Sequence, residues 1–423
     1  MKLAIIGSGG REHALCYYLS KSHEVKKVFC LPGNAGTNLI AENVTINTEN
    51  FEELKNFILN KKIDYVIIGP EKPLVDGLVD YLKKFNIKVF GPNKISSQLE
   101  GSKIFTKKLC EKYRIPTAKF GIFTNDQDAI RYIEKLNFPI VIKADGLASG
   151  KGVYIPENFE IGVTAIKEIF NGKFGKASQI LVEEFIDGEE MSYFIISDGK
   201  NYKKFQTAQD HKRVGEGDTG KNTGGMGAYS PSRIINKEID KKIIDKIIEP
   251  TLKGLKELGT TYSGFLYAGL MIKENEPYLI EYNVRMGDPE CQTILPKLKN
   301  DFFEIIKLCI NQNLNSIDLQ WLNNQSLSIV LCSKGYPDKF EKKVEIKDLL
   351  KLVIDGSKNE FVFHAGTKNI NNKIYSNGGR VLNFVVVSES FKNAREKIIK
   401  LIKKLNWKNG FYRKDIGHKV IDS

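Results

Sequence analysis

Three stretches of this 423-residue chain carry residue types and spacings that can do chemistry. In the first, an apolar run at 139–142 leads into Lys143 and a loop holding Gly146, Gly150 and Gly152. Glycines let bare backbone N–H groups approach an anion, and Lys143 and Lys151 add point charges, a combination that suits a polyphosphate. The spacing is not that of a Walker-type P-loop, because Gly152 and Val153 follow Lys151. A plain glycine-rich hairpin with two solvated lysines has the same composition, so this stretch alone leaves both readings open. The second stretch is a predicted strand over 277–285, in which Glu281, Asn283 and Arg285 are spaced by two and share one face. A carboxylate and an amide oxygen side by side can ligate a hard cation such as Mg²⁺, and an arginine beside them can grip a carboxylate or phosphate with both arms of its fork. The third is the turn Gly7, Ser8, Gly9, Gly10, Arg11 after a short apolar run. It falls short of a dinucleotide fingerprint because Glu12 stands where the last glycine would be. Arg11 with the Gly9 and Gly10 amides can still hold a single phosphate at a helix N-terminus; a plain tight turn is the other reading.

The elements that must position these groups follow from periodicity. Apolar runs at 2–6, 27–31, 63–68 and 87–90 alternate with helical stretches near 51–60 and 74–85, which predicts a small parallel α/β unit. Its ligand belongs at the carboxyl ends of the strands, where the loops at 7–11, 32–36 and 69–71 gather. A helix is expected over 94–113. A compact α+β unit over 120–190 contains the glycine loop and a strand ending in Glu183, Glu184 and Phe185. Residues 206–231 read as a long polar loop in which Asp210, His211, Lys212 and Arg213 cluster; such a loop is functional or disordered, and the cluster favours function. A helix over 236–257 precedes the strands at 264–272 and 277–285. Beyond 320, strands at 327–332, 361–365 and 380–387 and a basic helix at 391–404 form a supporting section.

Composition narrows the class. The charged fraction of 27% and hydrophobic fraction of 41% describe a soluble globular protein, and no apolar run approaches the ~20 residues that cross a bilayer. The N-terminus enters a strand and glycine turn at once, so no leader peptide is expected. Six cysteines lie far apart with no C-x-x-C pair, which predicts reduced thiols and a cytoplasmic setting. The net charge of +13 comes from 64 basic and 51 acidic residues, with lysines scattered through every predicted helix and no arginine–aromatic cluster. That is compositional bias more than a nucleic-acid surface.

Across its whole length the chain resembles the glycinamide ribonucleotide synthetases, the phosphoribosylamine–glycine ligases of the ATP-grasp superfamily. The resemblance rests on GSGGREHA at 7–14, PGNAGT at 32–37, GPE at 69–71, LEGSK at 99–103 and IKADGLASGKGV at 142–153. It continues in QDHKR at 209–213, NTGGMGAY at 222–229, GFLYAG at 264–269, GDPE at 287–290 and RKDIG at 413–417. Ser149, Met286 and Cys291 are mild departures that remove no charged group. The further purine-synthesis domains fused to this enzyme in animals are not expected here.

The resemblance implies an α/β, multidomain ATP-grasp enzyme. Residues 1–102 would form an N-terminal phosphoribosylamine domain, 103–120 with 191–319 a rigid ATP-grasp lobe, 121–190 a mobile lobe and 320–423 a C-terminal domain. It implies ATP bound by Lys103, Lys143 and the loop Gly146, Ser149, Gly150, Lys151 and Gly152. The backbone of Glu183, Glu184 and Phe185 would face adenine, and Glu190 the ribose. Glu281 and Asn283 would hold Mg²⁺ or Mn²⁺. Arg285 and Asp210, with Lys143, would carry the catalysis, and Asp288 would help orient glycine. Gly9, Gly10, Arg11, Asn34 and Glu71 would take phosphoribosylamine, with Lys212 and Arg213 also at substrate. Monomer or weak homo-oligomer is implied, with neither nucleic acid nor membrane as a partner. Another ATP-grasp carboxylate–amine ligase, a dinucleotide oxidoreductase and a basic RNA-binding protein are the alternatives.

Overall fold

The computed structural model describes residues 1–147, 152–175, 178–349, 352, 356, 358–405 and 407–421. The expected Ser149, Gly150 and Lys151 therefore lie outside the described residues.

The N-terminal sheet is parallel, as the alternating pattern predicts. Its strands are β1 (Lys2–Gly7), β2 (Lys27–Pro32), β3 (Glu42–Asn43), β4 (Tyr65–Ile68) and β5 (Lys88–Phe90), in the order β3-β2-β1-β4-β5. Central β1 is flanked in parallel by β2 and β4 and reads as an unbroken apolar run because both faces are covered: Leu3, Ala4, Ile5 and Ile6 are wholly buried. Helices α1 (Gly10–Ser20) and α2 (Phe51–Lys61) follow β1 and β3. The helix expected over 74–85 is two, α3 (Glu71–Asp76) and α4 (Leu78–Lys83), because Gly77 between them takes φ +95°. The helix expected over 94–113 is likewise divided, into α5 (Gln98–Gly101) and α6 (Lys103–Tyr113). Ser102 is extended there, and its hydroxyl accepts from Phe105 N–H as the cap of α6.

A second sheet runs β6 (Phe120–Phe123), β9 (Ile180–Glu184), β7 (Ile140–Ala144), β8 (Val153–Tyr154). Helices α7 (Asp126–Ile133) and α8 (Phe159–Phe170) pack on it around their own core of Ala129, Ile133, Ile140, Ile142, Ile166, Ile169 and Val182. A third sheet has the order β11 (Tyr202–Lys204), β10 (Glu189–Asp198), β16 (Ser263–Lys273), β17 (Glu276–Asn283).

The stretch 206–231 differs from the expected loop. It contains β12 (Gln209–Asp210), β13 (Arg213–Gly215), β14 (Thr219–Asn222) and β15 (Gly227–Ser230). The pair β13–β14 is a hairpin, while β12 and β15 extend the C-terminal sheet in the order β12-β15-β18-β22-β19, with β18 (Gln325–Ser333), β22 (Arg380–Ser388) and β19 (Glu360–His364); β20 (Thr367–Ile370) and β21 (Lys373–Ser376) pair with each other. These strands are two to four residues long, and β15 pairs with β18 about 100 positions away, so no local periodicity marks them. Between β15 and β16, α9 (Lys237–Ile243) runs through one π-helical turn at Ile244–Ile248 into α10 (Glu249–Glu257), a continuous helix as expected. After β17 come α11 (Glu290–Ile294) and α12 (Phe302–Ile310), and after β22 comes α13 (Phe391–Ile402).

The sheets share cores. One cluster joins Leu3, Ile5 and Ala14 to Phe194, Phe265, Phe303, Phe363 and Val385, so the N-terminal, third and C-terminal sheets pack as one mass. The core of the second sheet is separate. Among the described residues, no helix is long and apolar enough to cross a membrane.

Candidate active site

The site lies where β10, β12, β16 and β17 converge, with Lys143 of β7 reaching its edge. Strand β17 presents Glu281 opposite Gly269 and Asn283 opposite Tyr267, with a register shift between Gly269 and Leu270. Tyr282 and Val284 are buried while Glu281, Asn283 and Arg285 are half-buried, so the spacing by two does put them on the less covered side. Regular strand ends at Asn283, however, and the Arg285 guanidinium turns to Glu100 (2.6 Å) and Glu71 (3.2 Å). Glu100 also accepts from Val284 N–H at 2.8 Å. Burial pushes the Glu100 carboxyl up to about 7, despite Arg285 beside it.

Glu281 lines a concavity with Glu190, Ser192, Asp210, Lys212 and Tyr267. Burial alone would raise its pKa, but Lys212, Lys143 and Lys103 outweigh burial and hold it below the usual carboxylate range. It is therefore an ionised carboxylate ringed by lysines. Lys212 pairs with Glu190 at 3.0 Å, which raises the lysine's pKa. Asp210 is the opposite case. Its Oδ1 is buried with no hydrogen-bond partner among the described residues, and burial, then the nearby Glu290 charge, raise its pKa well above normal. An orphaned buried carboxylate oxygen costs stability unless something charged or donating meets it.

On the side facing the second sheet, Glu183 is nearly inaccessible and its carboxylate lies between Lys143 and Lys107. Lys143 also reaches the Ile280 carbonyl at 3.4 Å, and Lys103 donates to the Gly146 carbonyl at 2.8 Å. Lys103, Lys143 and Glu281 are thus brought together as expected. Glu184 is exposed, its N–H donating to the Lys119 carbonyl, and Phe185 is exposed. Gly152 N-terminally precedes β8, and its carbonyl accepts from Ala144 N–H.

The N-terminal loops are tied internally. Gly9 N–H donates to Glu12 (2.6 Å), Arg11 N–H to Asp288 (3.1 Å), and the Arg11 side chain to Glu12 (2.7 Å) and the Met286 carbonyl (3.1 Å). The acid that breaks the dinucleotide fingerprint thus occupies donors expected to meet a phosphate. It also fills the space beside Gly7 and Gly69, where a Cβ would collide with it. A Cβ at Gly10 would run into Asn383 and Gln292. Asn34 donates to Ser8, Gly9 and His364 carbonyls and accepts from Gly36 and Thr37 N–H, so it braces the loop. Glu71 caps this edge through Arg285. Arg213 lies on the β13–β14 hairpin, away from the concavity, donating to the Gly220 carbonyl.

The sequence alone marks no role for Glu100, Lys107, Glu290, Arg380 or Tyr267, although LEGSK, GDPE and GFLYAG contain three of them. An unexplained acid inside a glycine-bearing motif was the available signal for Glu100 and Glu290.

Comparison with known proteins decides the family. Residues 1–100, 101–291 and 326–419 match in turn the phosphoribosylglycinamide synthetase N domain, its ATP-grasp (A) domain and its C domain. The chain is 44% identical over 424 residues to a phosphoribosylamine–glycine ligase of Brucella melitensis, covering 100% of this chain and 99% of that protein. It is 45% identical over 427 residues to one from Haemophilus influenzae, with the same coverage. The crystal structure of the Thermotoga maritima phosphoribosylamine–glycine ligase superposes with a TM-score of 0.85 at 33% identity, covering 98% of this chain and 100% of that one. The chain belongs to the phosphoribosylglycinamide synthetase family. Phosphoribosylglycinamide synthetases are ATP-grasp ligases of purine biosynthesis, which accounts for the lysine-ringed carboxylate between two sheets. The oxygen donors on β17 suit the divalent cation general to such enzymes. No group of three or more His, Cys, Asp or Glu able to hold a metal occurs among the described residues.

Proposed function

We propose that this chain joins glycine to 5-phosphoribosylamine, converting ATP to ADP and phosphate through glycyl phosphate, in de novo purine synthesis in the cytoplasm. The observation that carries this reading is the pairing of an ionised Glu281 among lysines with an orphaned Asp210 carboxylate in one concavity. Lys103, Lys143 and the loop containing Gly146 and Gly152 neutralise phosphate charge, with Ser149, Gly150 and Lys151 as the remaining loop donors. Glu190 addresses ribose, and the 183–185 backbone adenine. Glu281 and Asn283 would hold Mg²⁺ or Mn²⁺, which supplies further neutralisation on the phosphates. Asp210 takes the ammonium of glycine and Arg285 its carboxylate, and Asp288 helps orient glycine. The loops carrying Gly9, Gly10, Arg11, Asn34 and Glu71 border phosphoribosylamine, with Lys212 on the other flank; Arg213, on its hairpin, is left out of this reading. The proposed domains are those read from the sequence: 1–102, 103–120 with 191–319, 121–190 and 320–423. The chain is proposed to act as a monomer or weak homo-oligomer, with neither nucleic acid nor membrane as a partner.

A carboxylate is a poor electrophile, so the glycine oxygen first attacks the γ-phosphorus and ADP leaves. The sugar amine then attacks the acyl carbon and phosphate leaves with that glycine oxygen. Positioning and charge neutralisation suffice, without a protein nucleophile. Running the reaction with ¹⁸O-carboxyl glycine is expected to place label in inorganic phosphate, read by mass spectrometry. Unlabelled phosphate would sink the acyl-phosphate path even with the correct product.

A further inference from the structure

The turn between β14 and β15 is gripped from the far side by the C-terminal sheet. Arg380, the first residue of β22, donates from Nη1 to the Gly224 carbonyl at 2.5 Å and to the Asp288 carbonyl, and lies 3.4 Å from Asp288 Oδ1. The Tyr336 hydroxyl accepts the Gly224 N–H at 3.0 Å. Both backbone groups of Gly224 are thus held by side chains from beyond residue 330. The fit is tight: a Cβ at Gly224 would lie 3.0 Å from Arg380 Cζ. One residue on, Gly225 takes φ +112°, and a Cβ there would lie 2.7 Å from Asp210 Oδ1 and 2.7 Å from Pro289 Cδ. The double glycine therefore fits against a guanidinium on one side and the orphaned carboxylate on the other. Arg380 bridges the two loops, 223–226 and 287–289, that close on Asp210.

We propose that Arg380 is a positioning residue for the glycine subsite: it fixes the Gly224–Gly225 backbone and the Asp288 loop, and so sets the space above the Asp210 carboxylate. This rests on the reading that Asp210 receives glycine. All three contacts are made by one nitrogen, Nη1, whose two hydrogens are fixed in the guanidinium plane; a lysine supplies the charge and the donors but not their fixed directions.

Steady-state kinetics of Arg380→Met, Arg380→Lys and, as reference, Asp210→Asn test it, with KM read separately for glycine and ATP. In Arg380→Met the glycine KM is expected to rise about tenfold while the ATP KM stays within about twofold, with Arg380→Lys recovering part of the loss. A glycine KM within about twofold of the parent, or equal rises for glycine and ATP, overturns the proposal. If Asp210→Asn raises the glycine KM and Arg380→Met does not, the proposal alone fails. If Asp210→Asn has no effect, the glycine-site reading falls and takes the proposal with it. Should Arg380→Met not fold, Tyr336→Phe keeps the ring and removes the hydroxyl on Gly224. A rise of about threefold confined to the glycine KM then supports the proposal, and no change overturns it.

Discussion

Glu281 stays charged because Lys212, Lys143 and Lys103 outweigh its burial, whereas Glu100, facing Arg285, is pushed up to about 7. The difference lies in how many cations face each carboxylate against how much water it has lost. Two predictions follow from it. Glu281→Gln keeps the shape and removes the charge; ATP turnover, measured as phosphate release at saturating Mg²⁺, is expected to fall about a hundredfold. Near-normal turnover would remove Glu281 from the site. For Glu100, the folded pKa lies above the ordinary carboxylate value, so the native state binds the proton more tightly than the unfolded chain. Its contribution is fully present below about pH 4.5 and is lost as pH rises through about 7. Denaturant unfolding across this window is expected to show the parent losing up to about 3 kcal/mol relative to Glu100→Gln. A pH-independent difference would show that Glu100 is ionised throughout.

The second sheet is held differently from the other elements. Its apolar cluster is its own, and near the site it is tied to α6 by polar contacts: Asp145 with the Ser102 hydroxyl (3.2 Å) and Ile104 N–H (3.3 Å), and Lys103 with the Gly146 carbonyl. An element joined by hydrogen bonds over little shared apolar surface can move as a body. Amide exchange in β7 and β8 is therefore expected to slow when ATP and Mg²⁺ are added, with the core strand β1 unchanged. Equal exchange with and without nucleotide would count against a closing lobe.

Across the molecule, the parallel sheet and the C-terminal sheet are joined at His13 and His364. His364 N–H donates to His13 Nδ1 at 2.8 Å, and burial lowers both rings' pKa, that of His364 to about 4. Many surface lysines already face carboxylates, such as Lys72 with Asp76, Lys204 with Asp240 and Lys246 with Glu276, so only part of the basic charge is unbalanced. Binding to unrelated RNA is accordingly expected to be weak and to vanish by moderate salt, read by filter binding across a salt series. Tight, salt-resistant binding would reopen a nucleic-acid role.

Local pattern was enough for the parallel character of the first sheet, though not for its strand order, because Leu3, Ala4, Ile5 and Ile6 form an apolar run of the kind a strand covered on both faces buries. It was enough, too, for the spacing of Glu281, Asn283 and Arg285, since alternation is a property of the strand itself. Family motifs singled out the lysines and loops proposed to meet the nucleotide. Tertiary structure decided what those side chains face. Arg285 meets Glu71 and Glu100 from two other elements, Glu12 occupies the loop donors, and β12 and β15 find their sheet about 100 residues downstream. Each of these depends on a partner distant in sequence, and no spacing within a short window encodes the charge or the hydrogen bond that such a partner brings.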